Sequence, residues 1–137
     1  MAEETYAQYG GYKKPSWAPP AWVFGPVWTI LYALIAVSFG YVGYRYAMGA
    51  LPAILALPFI LNLVFNILFT TFQFRLRNFT LAALDVVLVW LTLVWAIVAI
   101  WPVAPWVAYV NLPYLAWVSF ATVLQLTVTA MNRKREP

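Results

Sequence analysis

The sequence predicts an all-α protein, a polytopic membrane bundle of four transmembrane helices forming a single domain over residues 1–137. Three observations carry this. Of the residues, 65% are hydrophobic and only 9% charged, with a mean hydropathy of +0.80. A water-soluble domain of this size needs far more charge on its surface. The apolar residues gather into four runs, 21–44, 51–74, 79–101 and 106–131, separated by short polar turns. Each run is long enough to cross about 30 Å of hydrocarbon. With four spans, Lys13, Lys14, Arg75, Arg77, Arg133, Lys134 and Arg135 fall on one side and only Arg45 on the other. An odd number of spans would break that segregation. The positive-inside rule then puts both termini in the cytoplasm.

In chain order, Met1–Lys14 is polar, with Glu3 and Glu4, and is neither a signal peptide nor a span. Lys14–Tyr32 is a stiff aromatic segment holding Pro15, Pro19, Pro20 and Pro26 with Trp17, Trp22 and Trp28. Proline fixes φ and pushes its predecessor into extended geometry, so Lys14–Pro20 is a rigid loop. Pro26 fits a first helical turn, leading into a helix through Trp28 and Tyr32. Taken alone, so many Trp and Tyr residues read as an anchor at headgroup level. Ala36 and Gly40, extended by Gly43, make a small-residue seam that lets helices approach closely, within or between chains. Arg45–Ala50 is a short turn. Leu51–Phe74 starts near Pro52 and is expected to kink at Pro58, and Arg75–Asn78 is a tight basic loop. Phe79–Trp101 is closed by Pro102 and Pro105, Trp106–Met131 contains Pro113, and Arg133–Glu136 ends in solvent.

Inside the spans the informative residues are the polar ones. Asp85 is the single ionisable side chain within a predicted span, near enough to the Phe79 end to reach Arg75 or Arg77. A carboxylate there faces the bundle interior, paired or protonated. Its structural reading is a pair that pins the third helix. Asn62, Asn66, Phe69 and Gln73 recur at helical spacing on one stripe of the second span. Amides do not face lipid cheaply, so the stripe points inward. There it either bonds neighbouring helices or lines a cavity. The chain has no cysteine and no histidine, which excludes disulfides, thiolate chemistry and imidazole ligation of haem or zinc. With no second intramembrane carboxylate, paired acid–base catalysis has no support. The basic residues are scattered through loops and tail, so nucleic acid is not a partner.

The run Lys14-Pro15-Ser16-Trp17-Ala18-Pro19-Pro20-Ala21-Trp22-Val23-Phe24-Gly25-Pro26-Val27-Trp28 resembles the signature of the translocator protein / tryptophan-rich sensory protein (TspO) family. A second match is Leu112-Pro113-Tyr114-Leu115-Ala116-Trp117-Val118-Ser119-Phe120-Ala121-Thr122. Between them, Leu61-Asn62-Leu63-Val64-Phe65-Asn66, Phe72-Gln73-Phe74, Asn78 and Asp85 are similar to the middle helices of bacterial members. The resemblance covers roughly residues 9–132. That family has five helices, the first preceding the Lys-Pro-Ser-Trp loop. Only thirteen residues precede it here, so the family's first helix is expected to be missing or supplied by another subunit. In that case Asn62 and Asn66 would face lipid until a partner helix covered them.

The resemblance implies ligand contacts at Tyr9, Trp17, Trp28, Leu31, Tyr32, Asn62, Phe65, Asn66, Phe69, Leu81, Trp117, Ala121, Leu124 and Gln125. A family glutamine one turn before Asn62 is here Pro58. The implied function is an integral membrane protein, of the prokaryotic cytoplasmic membrane, with a sensory or transport-linked role. It binds a flat hydrophobic molecule, a porphyrin or haem, with a sterol as the other candidate. No cofactor is obligatory, and a bound porphyrin, haem or lipid is expected. Lys13 or Lys14 would meet propionates. The partners are membrane lipid and a second copy of the chain or a larger membrane complex. Light-driven porphyrin breakdown at Trp28 is a competing reading, set against the lack of an aromatic residue near Leu126. The inverted sterol pattern Arg77-Asn78-Phe79-Thr80-Leu81 is present, whereas a C-terminal Tyr-centred one is not. A structural subunit of a larger assembly is the third reading, and no paired broken helices suggest alternating access.

The charge split generates the first prediction. Reporter fusions at either terminus should report the cytoplasm, and a fusion in the turn after Arg45 should report the opposite side. An external N-terminus would contradict four spans with both termini inside.

Overall fold

The computed structural model describes residues 16–72 and 79–131. Their helices are α1 (Ala21–Ala47), α2 (Ala53–Thr70), α3 (Phe79–Ile100), α4 (Pro105–Val110) and α5 (Leu112–Met131). No strand occurs among the described residues. The helices α1, α3 and the α4–α5 pair (Pro105–Met131) are long and apolar enough to cross a membrane, and α2 is a shorter apolar helix. At about 1.5 Å per residue the 18 residues of α2 reach roughly 27 Å, close to the thickness of the hydrocarbon.

Central to the bundle is α3, which packs along α2 on one side and α5 on the other, while α1 meets α2 and α4. The buried side of α3 carries Ala82, Val86, Val89, Leu93, Ala96 and Ile100, recurring every three or four residues. Its outward side carries Leu84, Leu88, Leu91, Trp95 and Val98, so the helix is apolar all round, as a span must be. On α1 the inward set is Phe24, Leu31, Ile35, Phe39 and Val42, and Phe39 meets Phe59 of α2 edge-on at 4.9 Å.

Two proline expectations change. Helix α1 begins at Ala21, capped by extended Pro20, so Pro26 lies in the second turn and not the first. Its missing N–H frees only the Trp22 carbonyl, a loss small beside that of a deep interior proline. The last predicted span is divided at Asn111, which ends α4 before α5 starts with Leu112 and Pro113. The Asn111 N–H is shared between the Val107 and Ala108 carbonyls at 3.3 and 3.2 Å, and its carbonyl accepts from Leu115 N at 2.9 Å. The Asn111 backbone is thus bonded on both sides of the join.

The join is held from the side. Asn111 Nδ2 donates to Ser38 Oγ of α1 at 3.0 Å and to the Val107 carbonyl at 2.8 Å, and Ser38 Oγ donates to Leu34 O at 2.8 Å. Both side chains are fully enclosed. The seam expected at Ala36, Gly40 and Gly43 is turned outward, and a Cβ added at either glycine meets nothing within 4 Å. It makes no close approach within the described chain. The expectation that Asn62 and Asn66 face lipid is also overturned. They are 0% and 8% exposed, because α3 and α5 close over them.

Asn111→Ala should remove the lateral tie and lower stability by about 1–2 kcal/mol. Thermal unfolding in detergent, compared with Ser38→Ala as the milder loss, checks this.

Candidate functional site

The polar residues converge on one hydroxyl. Tyr114, in the first turn of α5, is fully buried, and its oxygen lies between the two amides of α2. Asn66 Nδ2 donates to Tyr114 Oη at 2.8 Å, and Tyr114 Oη donates to Asn62 Oδ1 at 2.8 Å. Asn62 Nδ2 in turn donates to the Val89 carbonyl at 2.9 Å and to Thr92 Oγ1 at 3.2 Å. Thr92 Oγ1 closes the series on its own helix, to Leu88 O at 2.8 Å. From α1, Tyr32 Oη donates to Asn66 Oδ1 at 3.2 Å. One directional chain therefore runs from Tyr32 through Asn66, Tyr114 and Asn62 to Thr92, tying α1, α2, α3 and α5 together.

Aromatic rings surround this chain. Trp28 lies 5.3 Å from Tyr32 and meets Tyr114 edge-on at 6.4 Å. Nearby, Phe24 packs edge-on against Trp117 at 5.7 Å, and Trp117 tilts against Phe120 at 5.6 Å. Trp17, half exposed, reaches the outer edge of Phe120 at 5.9 Å. Between α1 and α5 lies an open apolar groove of about 360 Å³. Val27, Ile30 and Leu31 form its α1 wall, and Pro113, Ala116, Trp117 and Phe120 its α5 wall.

Asp85 is 3% exposed, and its Oδ2 has no hydrogen-bond partner among the described residues. Four residues forward along α2 from Asn62, and four back along α3 from Val89, bring Asn66 and Asp85 to similar depth. The donors of Tyr32, Tyr114, Asn62 and Thr92 are all committed within the chain, so none of them turns to the carboxylate. Arg75 and Arg77, its expected partners, lie outside the described residues.

Of the expected contacts, the structure brings Trp28, Tyr32, Asn62 and Asn66 together at the hydroxyl chain. Leu31 and Trp117 come to the groove. Phe65 packs against the main core, while Phe69 and Leu124 join a smaller cluster with Phe24. Ala121 is half-buried on α5, and Gln125 is buried with Nε2 donating to Thr129 Oγ1 at 3.0 Å. Leu81 lies on the exposed side of α3, away from this convergence. Tyr9, Lys13, Lys14 and Gln73 lie outside the described residues. Tyr114 and Thr92 were not among the expected contacts, although Tyr114 leads a buried series continuing through Val118, Gln125 and Val128. That spacing was available as a signal. Trp90 was missed as well, and its Nε1 donates to Ser119 Oγ at 2.8 Å, joining α3 to α5.

The sequence profile of the TspO/MBR family matches residues 1–131. The chain belongs to the TspO/MBR family. It is 36% identical over 124 residues to the tryptophan-rich protein TspO of Bacillus cereus, an alignment covering 90% of this chain and 80% of that one. To the TspO of Chlorobaculum tepidum it is 32% identical over 122 residues, covering 87% and 75% of the two chains. A shorter stretch of 32 residues is 56% identical to the human translocator protein, 23% of this chain and 18% of that one. As a TspO/MBR member it is an integral, multi-pass membrane protein.

The isolated Oδ2 makes a sharp prediction. Replacing a buried carboxyl that has an unsatisfied oxygen by an apolar side chain of similar size is expected to be neutral or stabilising. Asp85→Leu should leave the unfolding temperature of the ligand-free protein unchanged or raise it. A marked fall would show that Asp85 has a structural partner beyond the described residues.

Proposed function

We propose that this TspO/MBR protein binds a flat, hydrophobic tetrapyrrole, a porphyrin or haem, between α1 and α5. The observation that carries the reading is the aromatic groove, with Leu31 and Trp117 in its walls and Trp28 and Tyr32 beside it. Its volume falls within the range of small-molecule sites, and its apolar lining suits a ligand held by stacking and burial. The chain offers no imidazole or thiolate to iron, so affinity would come from the macrocycle and its edge. Propionates would meet Lys13 or Lys14. A sterol is the alternative ligand of the same shape and polarity.

The role that suits such a site is sensing or ligand handling in a prokaryotic cytoplasmic membrane, with both termini in the cytoplasm. Binding without turnover fits best, since no paired acid and base converge on the groove. Leu126 is outward-facing, so its lack of a ring bears little on photochemistry. The outward seam of Ala36, Gly40 and Gly43 favours a further reading, in which the protein works as a dimer or within a larger membrane complex.

Titration with protoporphyrin IX should quench indole fluorescence with a micromolar midpoint, roughly −8 kcal/mol. Ala116→Phe, which fills the groove, and Trp28→Phe should each weaken it about tenfold. Absence of quenching by any porphyrin would contradict the proposal. Light-dependent loss of the porphyrin spectrum, abolished in Trp28→Phe, would make the protein an enzyme instead.

A further inference from the structure

At the end of the bundle that holds the α1–α2 and α3–α4 turns, one charge stands without a counter-ion among the described residues. Arg45, in the last turn of α1, is the only basic residue between Lys14 and Arg75. The chain has four acidic residues, Glu3, Glu4, Asp85 and Glu136. Asp85 is the only carboxylate among the described residues. It lies fifteen residues before the end of α3, about 22 Å along the helix from this end of the bundle. The three glutamates lie outside the described residues.

Arg45 is nonetheless held in a defined position. Its Nη1 donates to Tyr41 Oη at 2.9 Å, and its guanidinium carbon is 5.6 Å from the centroid of the same ring. Tyr41 is braced in turn by Trp106 of α4, edge-on at 4.9 Å. The backbone beside it is fixed too. Ala50 N donates to the Arg45 carbonyl at 2.8 Å across a turn in which Gly49 takes φ 77°, the left-handed region that glycine enters without strain. Exposed Tyr44, Tyr46, Trp101 and Tyr109 ring the same end, and Trp101 and Tyr109 stack edge-on at 4.8 Å. Such a belt marks headgroup depth.

We propose that Arg45, set by Tyr41 and Trp106, binds the phosphate of a membrane phospholipid. A guanidinium has five N–H donors in a planar fork, and Tyr41 takes one of them. The fork matches two oxygens of a phosphate diester, and headgroup depth is where that diester lies. The acyl chains then run down the outward apolar face of α1, past Val37. This site is separate from the α1–α5 groove and does not rest on tetrapyrrole binding.

The test is native mass spectrometry of the full chain in detergent, titrated with phosphatidylglycerol. The first lipid should bind Arg45→Gln about tenfold more weakly than the parent protein. Arg45→Lys, which keeps the charge but loses the fork, should fall between them. Tyr41→Phe keeps the ring and loses the positioning hydroxyl, so it should weaken binding about threefold, and it serves if Arg45→Gln does not fold. Diacylglycerol, which lacks phosphate, should not distinguish the variants. Equal phosphatidylglycerol affinity in the parent, Arg45→Gln and Tyr41→Phe would overturn the proposal. Displacement of the lipid by an equal concentration of inorganic phosphate would also overturn it, in favour of a soluble anion site.

Discussion

An amide left unpaired in hydrocarbon costs several kcal/mol, and α2 carries two amides a single turn apart. The Tyr114 hydroxyl meets both demands at once, accepting from Asn66 and donating to Asn62. Little else could draw these helices into register, since lipid tails are as apolar as the helix faces they would leave. Once Tyr114 is fixed, Asn62 aligns α3 through Val89 and Thr92, and Asn66 draws in Tyr32 from α1. The aromatic rings that border the groove are positioned as a consequence.

The join at Asn111 serves the same arrangement. Tyr114 lies one turn beyond it, and the tie from Asn111 to Ser38 fixes where α5 begins relative to α1. Without the division the last span would run straight, with Pro113 deep inside it. With it, Pro113 stands in the first turn of α5, where its missing N–H is harmless. The same proline lines the groove, so the device that tolerates it also shapes the site.

Much of this was readable in the sequence. The apolar runs and the Trp- and Pro-rich loop led to a helical membrane bundle, and the two terminal motifs to the TspO/MBR family. The inward stripe of Asn62 and Asn66 followed from the cost of amides in lipid. What the sequence hid was the partner. A tyrosine in a membrane protein reads first as an interfacial anchor, and only its helical spacing with Val118, Gln125 and Val128 sets enclosed Tyr114 apart from exposed Tyr109, five residues earlier. Pairings such as Asn111 with Ser38, or Trp90 with Ser119, join residues far apart in the chain and leave no local signal. The expectation that the amides would need an outside helix failed for the same reason, because their partner was already in the chain.

The central claim is that the Tyr114 hydroxyl and the Asn62 amide act as a unit that sets the bundle. A double-mutant cycle of Asn62→Leu and Tyr114→Phe, read as unfolding free energy in detergent, tests it most directly. The account predicts that the double variant loses less than the two single losses added together, with a coupling of about 0.6–2 kcal/mol. Strictly additive losses would contradict it, because each side chain would then stabilise the fold independently of the other.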